Sequence, residues 1–99
     1  MPNAKEKITH IVQTLQNVPE IKNIYLFGSR ARGDATPRSD IDLAIESEKP
    51  LSIRKQRRIK EMAEAHSGLF ALDIVFLHEN NTKLKKIIDV QGIKLYEKK

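Results

Sequence analysis

The chain contains no cysteine, and this absence excludes several kinds of chemistry at once. Without thiols it can form no disulfide framework, no thiolate nucleophile and no zinc site with cysteine ligands. Such a composition fits a reducing compartment. The sequence also lacks an apolar run of about 18 residues, the length of a membrane span, and its start, MPNAKEKITH, lacks the apolar segment of a signal peptide. It therefore predicts a soluble, cytoplasmic protein without membrane contact.

Aromatic residues are also few, because the 99 residues include two Tyr, three Phe and no Trp. A surface that binds single-stranded nucleic acid by stacking needs more of them, so direct nucleic-acid binding is disfavoured. Charge is not scarce: 18 basic and 13 acidic residues give a formal net charge of +5. An excess of this sign favours polyanionic partners such as nucleoside triphosphates or an acidic protein, although it also serves solubility.

The length and the 39% hydrophobic content predict one domain covering residues 1–99. Apolar periodicity predicts helices over residues 3–17, 52–67 and 82–91. Apolar runs predict strands over residues 23–27, 39–46, 71–77 and, at an edge, 93–96. A single helical turn over 28–33 and a loop over 34–38 connect the first two strands. Together these elements predict an α/β (α+β) fold with helices packed on a small mixed sheet.

Two aspartates stand two residues apart in the predicted strand SDIDLAIE, residues 39–46. Side chains at positions i and i+2 of a strand share one face, so Asp40 and Asp42 are expected to project side by side. Neighbouring carboxylates raise each other's pKa, and a divalent cation relieves their repulsion. Carboxylate oxygens suit Mg²⁺, whose remaining ligands are water and substrate phosphates. The pair therefore predicts a magnesium site.

A third aspartate, Asp73, lies in the apolar strand LDIVFL, where strand propensity disfavours this residue type. If this strand lies beside residues 39–46, Asp73 shares a face with Asp40 and Asp42, and the three form a carboxylate cluster. Otherwise Asp73 is an edge residue in water. Taken singly, Asp40 could cap the strand start, and Asp34 is expected to be only a turn residue.

Gly28 and Ser29 follow the first predicted strand and open a turn. Glycine lets a phosphate group approach the backbone closely. The free N–H groups at the start of a helical turn attract anions. Arg30 and Arg32 add positive charge to the same turn. The turn is therefore a candidate phosphate-binding element, given meaning by the strand before it and the acidic strand after it.

The pattern G-S-x10-D-x-D, formed by Gly28, Ser29, Asp40 and Asp42, resembles the motif of the nucleotidyltransferase superfamily typified by DNA polymerase beta. The similarity is greatest to the minimal nucleotidyltransferase (MNT) members and covers nearly the whole chain. Asp73 matches the third acidic position of the family. The resemblance implies a polymerase beta-like palm fold and transfer of a nucleoside monophosphate from an NTP to a hydroxyl, with release of pyrophosphate.

The resemblance also implies roles for individual residues. Asp40 and Asp42 would bind both Mg²⁺ ions, and Asp73 would hold the ion that activates the acceptor hydroxyl and could also take its proton. The glycine-serine turn would hold the β- and γ-phosphates of ATP. The implied nucleotide-binding residues are Gly28, Ser29, Arg30, Arg32 and Ser39.

The partner is also implied by resemblance. Small MNT proteins pair with a helical HEPN toxin, and there the MNT protein is the antitoxin that transfers AMP from ATP to a tyrosine of the toxin. The chain is too short for a separate acceptor-binding domain, which fits an acceptor supplied by another protein. Two alternatives stay open. The protein could neutralise its partner by binding alone, or it could transfer a nucleotide to a small molecule or an RNA end.

Two further features have structural interpretations. The basic run RKQRRIK, residues 54–60, is typical of a solvated helix face, although it could attract an acidic partner or RNA. The predicted helix over 82–91 carries an apolar stripe that is expected to be core rather than interface. This stripe consists of Leu84, Ile87 and Ile88.

Overall fold

The computed structural model describes residues 3–78 and 82–99, which form a four-stranded sheet with helices packed on it. The helices are α1 (Ala4–Leu15), α2 (Ser29–Arg32), α3 (Ile53–Glu64) and α4 (Thr82–Gln91). The strands are β1 (Ile21–Phe27), β2 (Ile41–Ser47), β3 (Leu72–Leu77) and β4 (Ile93–Glu97). The strand order is β3-β2-β1-β4, with β2 and β3 parallel and the other neighbours antiparallel. This confirms the predicted fold class and mixed sheet. Within the described ranges, no helix is long and apolar enough to cross a membrane.

The first helix begins where the sequence predicts. The side chain of Asn3 accepts a hydrogen bond from the Glu6 N–H at 2.8 Å, which satisfies a donor that has no partner inside the helix. The helix ends at Leu15, two residues before the predicted end, because the Val18 N–H turns back to the Leu15 carbonyl at 3.0 Å. This turn leads directly into β1.

One predicted boundary is wrong at the position that matters most for the site. β2 begins at Ile41, so Ser39 and Asp40 lie in the preceding loop rather than in the strand. The Ser39 N–H donates to the Thr36 carbonyl at 3.0 Å, and the Ser39 hydroxyl accepts from the Thr36 N–H at 2.8 Å. These bonds form a turn, so hydrogen bonding between this segment and the one leading into β3 begins only at Ile41, whose N–H donates to the Ala71 carbonyl at 2.9 Å.

The two faces of the sheet are covered unequally. On one face, α1 and α3 pack over a large cluster that includes Ile24, Leu43 and Ile45, all fully buried. Burying one such side chain stabilises the fold by about 1.5–3 kcal/mol. On the other face, α4 covers a smaller cluster. Its buried members are Tyr25, Ala44, Leu77 and Ile88. Asp42 lies on this second face, two residues before Ala44.

The expectation that the α4 stripe is all core is wrong for one residue. Ile88 is 1% exposed, but Ile87 is 53% exposed. Leu84 is half-buried against the smaller cluster. A helix that touches the sheet along one side cannot bury consecutive positions equally, since neighbours along the chain are about 100° apart around the helix axis.

A buried ion pair fastens α4 to the sheet. Glu46 is 2% exposed, and its carboxylate lies 2.9 Å from the Lys85 Nζ of α4. The Asn23 Nδ2 donates to the other carboxylate oxygen at 2.6 Å. Burial alone would raise the pKa of Glu46, but the hydrogen bonds from Lys85 and Asn23 outweigh burial and hold this pKa below its usual value.

Glu46→Gln is expected to lower the free energy of unfolding at neutral pH by about 1–2 kcal/mol, since the ion pair is lost. A lowered folded-state pKa contributes stability above the usual value of 4.5, and that stability disappears as pH falls through the folded pKa. The deficit of the variant should therefore shrink in acid. Urea unfolding at neutral and acidic pH measures it, and an equal deficit at both would contradict the assignment. Glu48→Gln, at an exposed position nearby, is the matched control.

Candidate active site

The sheet register brings two of the predicted aspartates together. β2 and β3 are parallel neighbours, and Asp42 is paired directly with Asp73. Paired residues of neighbouring strands point to the same face, so the predicted adjacency of these strands is confirmed. Asp73 is exposed on the edge strand, and Asp42 is half-buried. Asp40 is exposed and precedes the strand, so strand alternation does not set its direction.

The three carboxylates nevertheless influence one another. Burial is the main cause that raises the pKa of Asp42, and the charges of Asp73 and Asp40 raise it further. The positive charges of Arg32 and Arg30 oppose this rise. The electrostatic environment of Asp42 is thus set by two neighbouring carboxylates and two guanidinium groups. A cation placed beside it would remove the cost of keeping it ionised.

The glycine turn lies in contact with the central aspartate. Phe27, the last residue of β1, is paired with Asp42 across the sheet, and Gly28 follows with φ of 71° and ψ of −157°. Glycine alone adopts this backbone conformation readily. A Cβ atom at Gly28 would overlap the Asp42 Oδ2 and lie 3.0 Å from its Cγ. The turn therefore needs glycine for two reasons, its conformation and the closeness of the carboxylate.

Ser29 begins the single turn α2, whose backbone bonds start from the Gly28 carbonyl. The N–H groups of Ala31 and Arg32 donate to this carbonyl, each at 3.1 Å. The N–H groups at the very start of a helical turn have no acceptor within it. Ser29 is half-buried, and its hydroxyl belongs to the same turn. The turn therefore offers a hydroxyl and backbone donors beside the acidic strand.

The side chain of Arg30 is engaged inside the protein. Its Nη2 donates to the Ser39 carbonyl at 2.7 Å, and its guanidinium carbon lies 5.1 Å from the centre of the Phe70 ring. Its Nε is buried and has no hydrogen-bond partner among the described residues. Arg30 therefore ties α2 to the loop before Asp40 and to the segment that enters β3.

Arg32 and Ser39 have different surroundings. The Arg32 side chain is 51% exposed, and its Nε lies 3.4 Å from the Asp34 carboxylate, which is a weak surface pair. It can turn toward a ligand at little cost. The Ser39 hydroxyl is bonded to Thr36 and thereby shapes the loop. Sequence reasoning missed Thr36 and Phe70, because neither belongs to a periodic pattern or a motif.

The acidic residues fit a metal site that is completed by substrate phosphates better than a site built from protein ligands alone. Among the residues that the structure describes, no three His, Cys, Asp or Glu side chains are grouped closely enough to hold a metal ion by themselves. Mg²⁺ commonly takes one or two carboxylates and completes its shell with water and substrate phosphates. The chemistry of the donors, carboxylate oxygens beside a glycine turn that can accept phosphate, fits that kind of site.

A mixed sheet with a glycine turn against an acidic strand defines a nucleotidyltransferase-type protein. Comparison with known families agrees, because the family described as "Polymerase beta, Nucleotidyltransferase" matches residues 6–99. The chain therefore belongs to this family of nucleotidyltransferases.

Individual relatives are similar over most of their length. The Haemophilus influenzae protein named "Probable protein adenylyltransferase MntA" is 29% identical over 93 residues, which cover 94% of this chain and 82% of that protein. A crystal structure of a toxin-antitoxin with AMP-PNP matches 96% of this chain and 74% of its own chain, with a TM-score of 0.70 and 28% identity. A re-refined structure of the tri-AMPylated Shewanella oneidensis HEPN toxin in complex with MNT antitoxin matches 96% and 71%, with a TM-score of 0.63 and 26% identity.

Proposed function

We propose that this protein is the antitoxin of a HEPN/MNT pair and that it transfers AMP from ATP to a tyrosine hydroxyl of its toxin. It would act in the cytoplasm as a single nucleotidyltransferase domain covering residues 1–99. The observation that carries the proposal is the contact between the Gly28 turn and the Asp42 carboxylate, which puts a phosphate-binding element beside a metal-binding one. Similarity to a protein adenylyltransferase and to the antitoxin of an AMPylated HEPN toxin supports a toxin protein as the acceptor of AMP.

The reaction needs little covalent chemistry from the protein. The acceptor oxygen bonds to the α-phosphorus of ATP, the bond to the β-phosphate bridge breaks, and pyrophosphate leaves. Two Mg²⁺ ions, when bound, would neutralise the charge on both oxygens of this in-line displacement. Asp40 and Asp42 would hold them together with the triphosphate. Asp73, paired with Asp42 on the open edge strand, would face the acceptor and take the hydroxyl proton.

The other predicted residues divide into two groups. Gly28, Ser29 and Arg32 would contact the β- and γ-phosphates, because Gly28 lies beside Asp42 and the Arg32 side chain is exposed. Arg30 and Ser39 would act indirectly. Their contact at 2.7 Å fixes the loop that carries Asp40, so both are positioning residues in this proposal rather than ligands of the phosphates.

Arg30→Lys tests this division. The variant keeps the charge but loses the planar fork and the contact with Phe70, so the loop before Asp40 should loosen. We expect kcat for AMP transfer to fall about tenfold, with the KM for ATP changed by less than about twofold. Arg32→Lys is the matched control and should instead raise the KM. A raised KM with unchanged kcat for Arg30→Lys would show that Arg30 binds the nucleotide directly.

Asp73→Asn tests the role of the edge-strand carboxylate. Asparagine keeps the size but accepts no proton, so we expect kcat to fall by about 10²-fold while ATP binding, measured by calorimetry, stays within about threefold. An equal loss of binding and turnover would mean that Asp73 serves the nucleotide rather than the acceptor.

The proposed function is tested by producing the chain together with the helical protein encoded beside it. Intact mass of both proteins is recorded after incubation with ATP and Mg²⁺. A gain of one or more AMP units on the partner, lost with the Asp42→Asn variant, supports the proposal. Neutralisation of the toxin without any gain in mass would support inhibition by binding alone. Labelling of RNA or of a small molecule instead would move the acceptor to that class.

A further inference from the structure

A groove of about 560 Å³ lies at the end of the sheet opposite to the aspartates. It is lined by the start of β1 and the end of β2, where Ile21 is paired with Ser47. The candidate active site lies at the other end of these strands, where Phe27 is paired with Asp42. Ser47 lies five positions after Asp42 along β2, which is about 17 Å at about 3.3 Å per residue. The groove is therefore a separate feature of the molecule.

The groove is rich in positive charge. Its basic lining residues are Lys22, Lys49, Lys55, Lys98 and Lys99. The positive surface continues over the first turns of α3, where a smaller hollow shares Ser52 and Lys55 with the groove and adds Arg54 and Arg58. We call these two adjoining hollows the cationic groove. It includes Arg54, Lys55 and Arg58 of the basic run 54–60, which is otherwise typical of a solvated helix face.

This surface carries most of the excess positive charge of the described residues. Among the described residues, the cationic groove contains seven of the 18 basic ones but only two acidic ones, Glu20 and Glu48. Of the residues that the structure describes, eleven basic and ten acidic ones lie outside the groove, so the groove's excess of five positive charges is as large as the formal net charge of +5. Glu20 forms an ion pair with Lys55 at 2.9 Å, and its charge also acts on Lys98, so most of the groove's lysines and arginines have no acidic residue of the groove paired with them. A charge needed for solubility alone would not have to be gathered in one place.

We propose that the cationic groove binds the phosphate backbone of double-stranded nucleic acid without reading its bases. Lysine is depleted in protein–protein interfaces, whereas nucleic-acid interfaces are strongly positive. None of the described residues that line the groove is aromatic, which disfavours stacking with single-stranded bases but not contact with phosphates. Ser52 caps the twelve-residue helix α3 beside these cations, and helix starts commonly contact backbone phosphates.

The test measures binding of the full chain to a short fluorescein-labelled DNA duplex, and to the RNA duplex of the same sequence, by fluorescence anisotropy without ATP or Mg²⁺. The groove variant is Lys49→Gln/Arg54→Gln/Arg58→Gln, whose three positions are exposed. It should bind at least about tenfold more weakly at low salt. It should also reduce the slope of log K against log salt by about 2.7, which is about 0.9 for each lost phosphate contact.

The matched control is Lys5→Gln/Lys83→Gln/Lys86→Gln, which removes three exposed charges outside the groove and has the same net charge. It should bind within about twofold of the native chain. Equal weakening of both variants, absence of duplex binding at low salt, or tighter binding of poly-glutamate than of the duplexes would overturn the proposal, the last in favour of an acidic protein. Should the triple variant unfold, Lys49→Gln alone should still reduce the slope by about 0.9. The groove variant should retain AMP transfer, so failure here leaves the proposed function untouched.

Discussion

Asp42→Asn is expected to reduce AMP transfer by about 10²- to 10³-fold and, at the same time, to raise the Tm of the protein without nucleotide and metal. The loss of transfer follows from removing a carboxylate that would hold Mg²⁺ against the triphosphate. The gain in Tm follows from the raised pKa, because burial and the neighbouring Asp73 and Asp40 make the ionised form of Asp42 costly in the folded state. Function and stability therefore change in opposite directions.

The pH dependence of this gain has a definite sign. A folded-state pKa above the usual 3.8 contributes stability below 3.8, and that contribution is lost as pH rises through the folded pKa. The stabilisation by asparagine should therefore be present at neutral pH and disappear in acid. Thermal unfolding at both pH values measures it, with Asp89→Asn, an exposed aspartate of α4, as the control that changes neither Tm nor transfer. A lower Tm for Asp42→Asn at neutral pH would contradict the role of repulsion.

Much of the fold could be predicted from the sequence because its strands are nearly continuous apolar runs. β1, β2 and β3 are each within two residues of their predicted bounds at both ends. The boundary of β2 could not be predicted, since it depends on hydrogen bonds between Thr36 and Ser39 that a propensity pattern does not contain. This matters chemically, because Asp40 approaches from a loop and can adjust to a ligand, whereas Asp42 is held by the ladder.

Only those parts of the candidate site that depend on the sequence motif or on strand register could be predicted. The pairing of Asp42 with Asp73 followed from one assumption, that their strands are neighbours. The engagement of Arg30 with Ser39 and Phe70 could not be foreseen, because it joins three segments that are separated in the sequence. The cationic groove has the same character, since Lys22, Lys49 and Lys98 meet only when the strands are aligned. Contacts between distant segments are the part that sequence patterns omit.

Gly28→Ala is expected to have the largest effect on stability, a loss of about 2–4 kcal/mol in the free energy of unfolding together with loss of AMP transfer. Two costs add. The backbone conformation at φ of 71° and ψ of −157° strains any residue with a Cβ atom by about 1–3 kcal/mol. The new methyl group would also overlap the Asp42 carboxylate and push it out of place. Urea unfolding and AMP transfer, measured on the same preparation, report the two effects.

Gly33→Ala separates these costs, because Gly33 also has a positive φ, 86°, but a Cβ atom there would meet nothing within 4 Å. It should lose only the strain of the left-handed conformation, about 1–2 kcal/mol. The overlap itself is isolated by adding Asp42→Ala to Gly28→Ala: with the carboxylate gone, the double variant should be more stable than the sum of the single changes predicts. If the two changes instead add without interaction, the glycine turn and the acidic strand are not in the contact on which the proposed site depends.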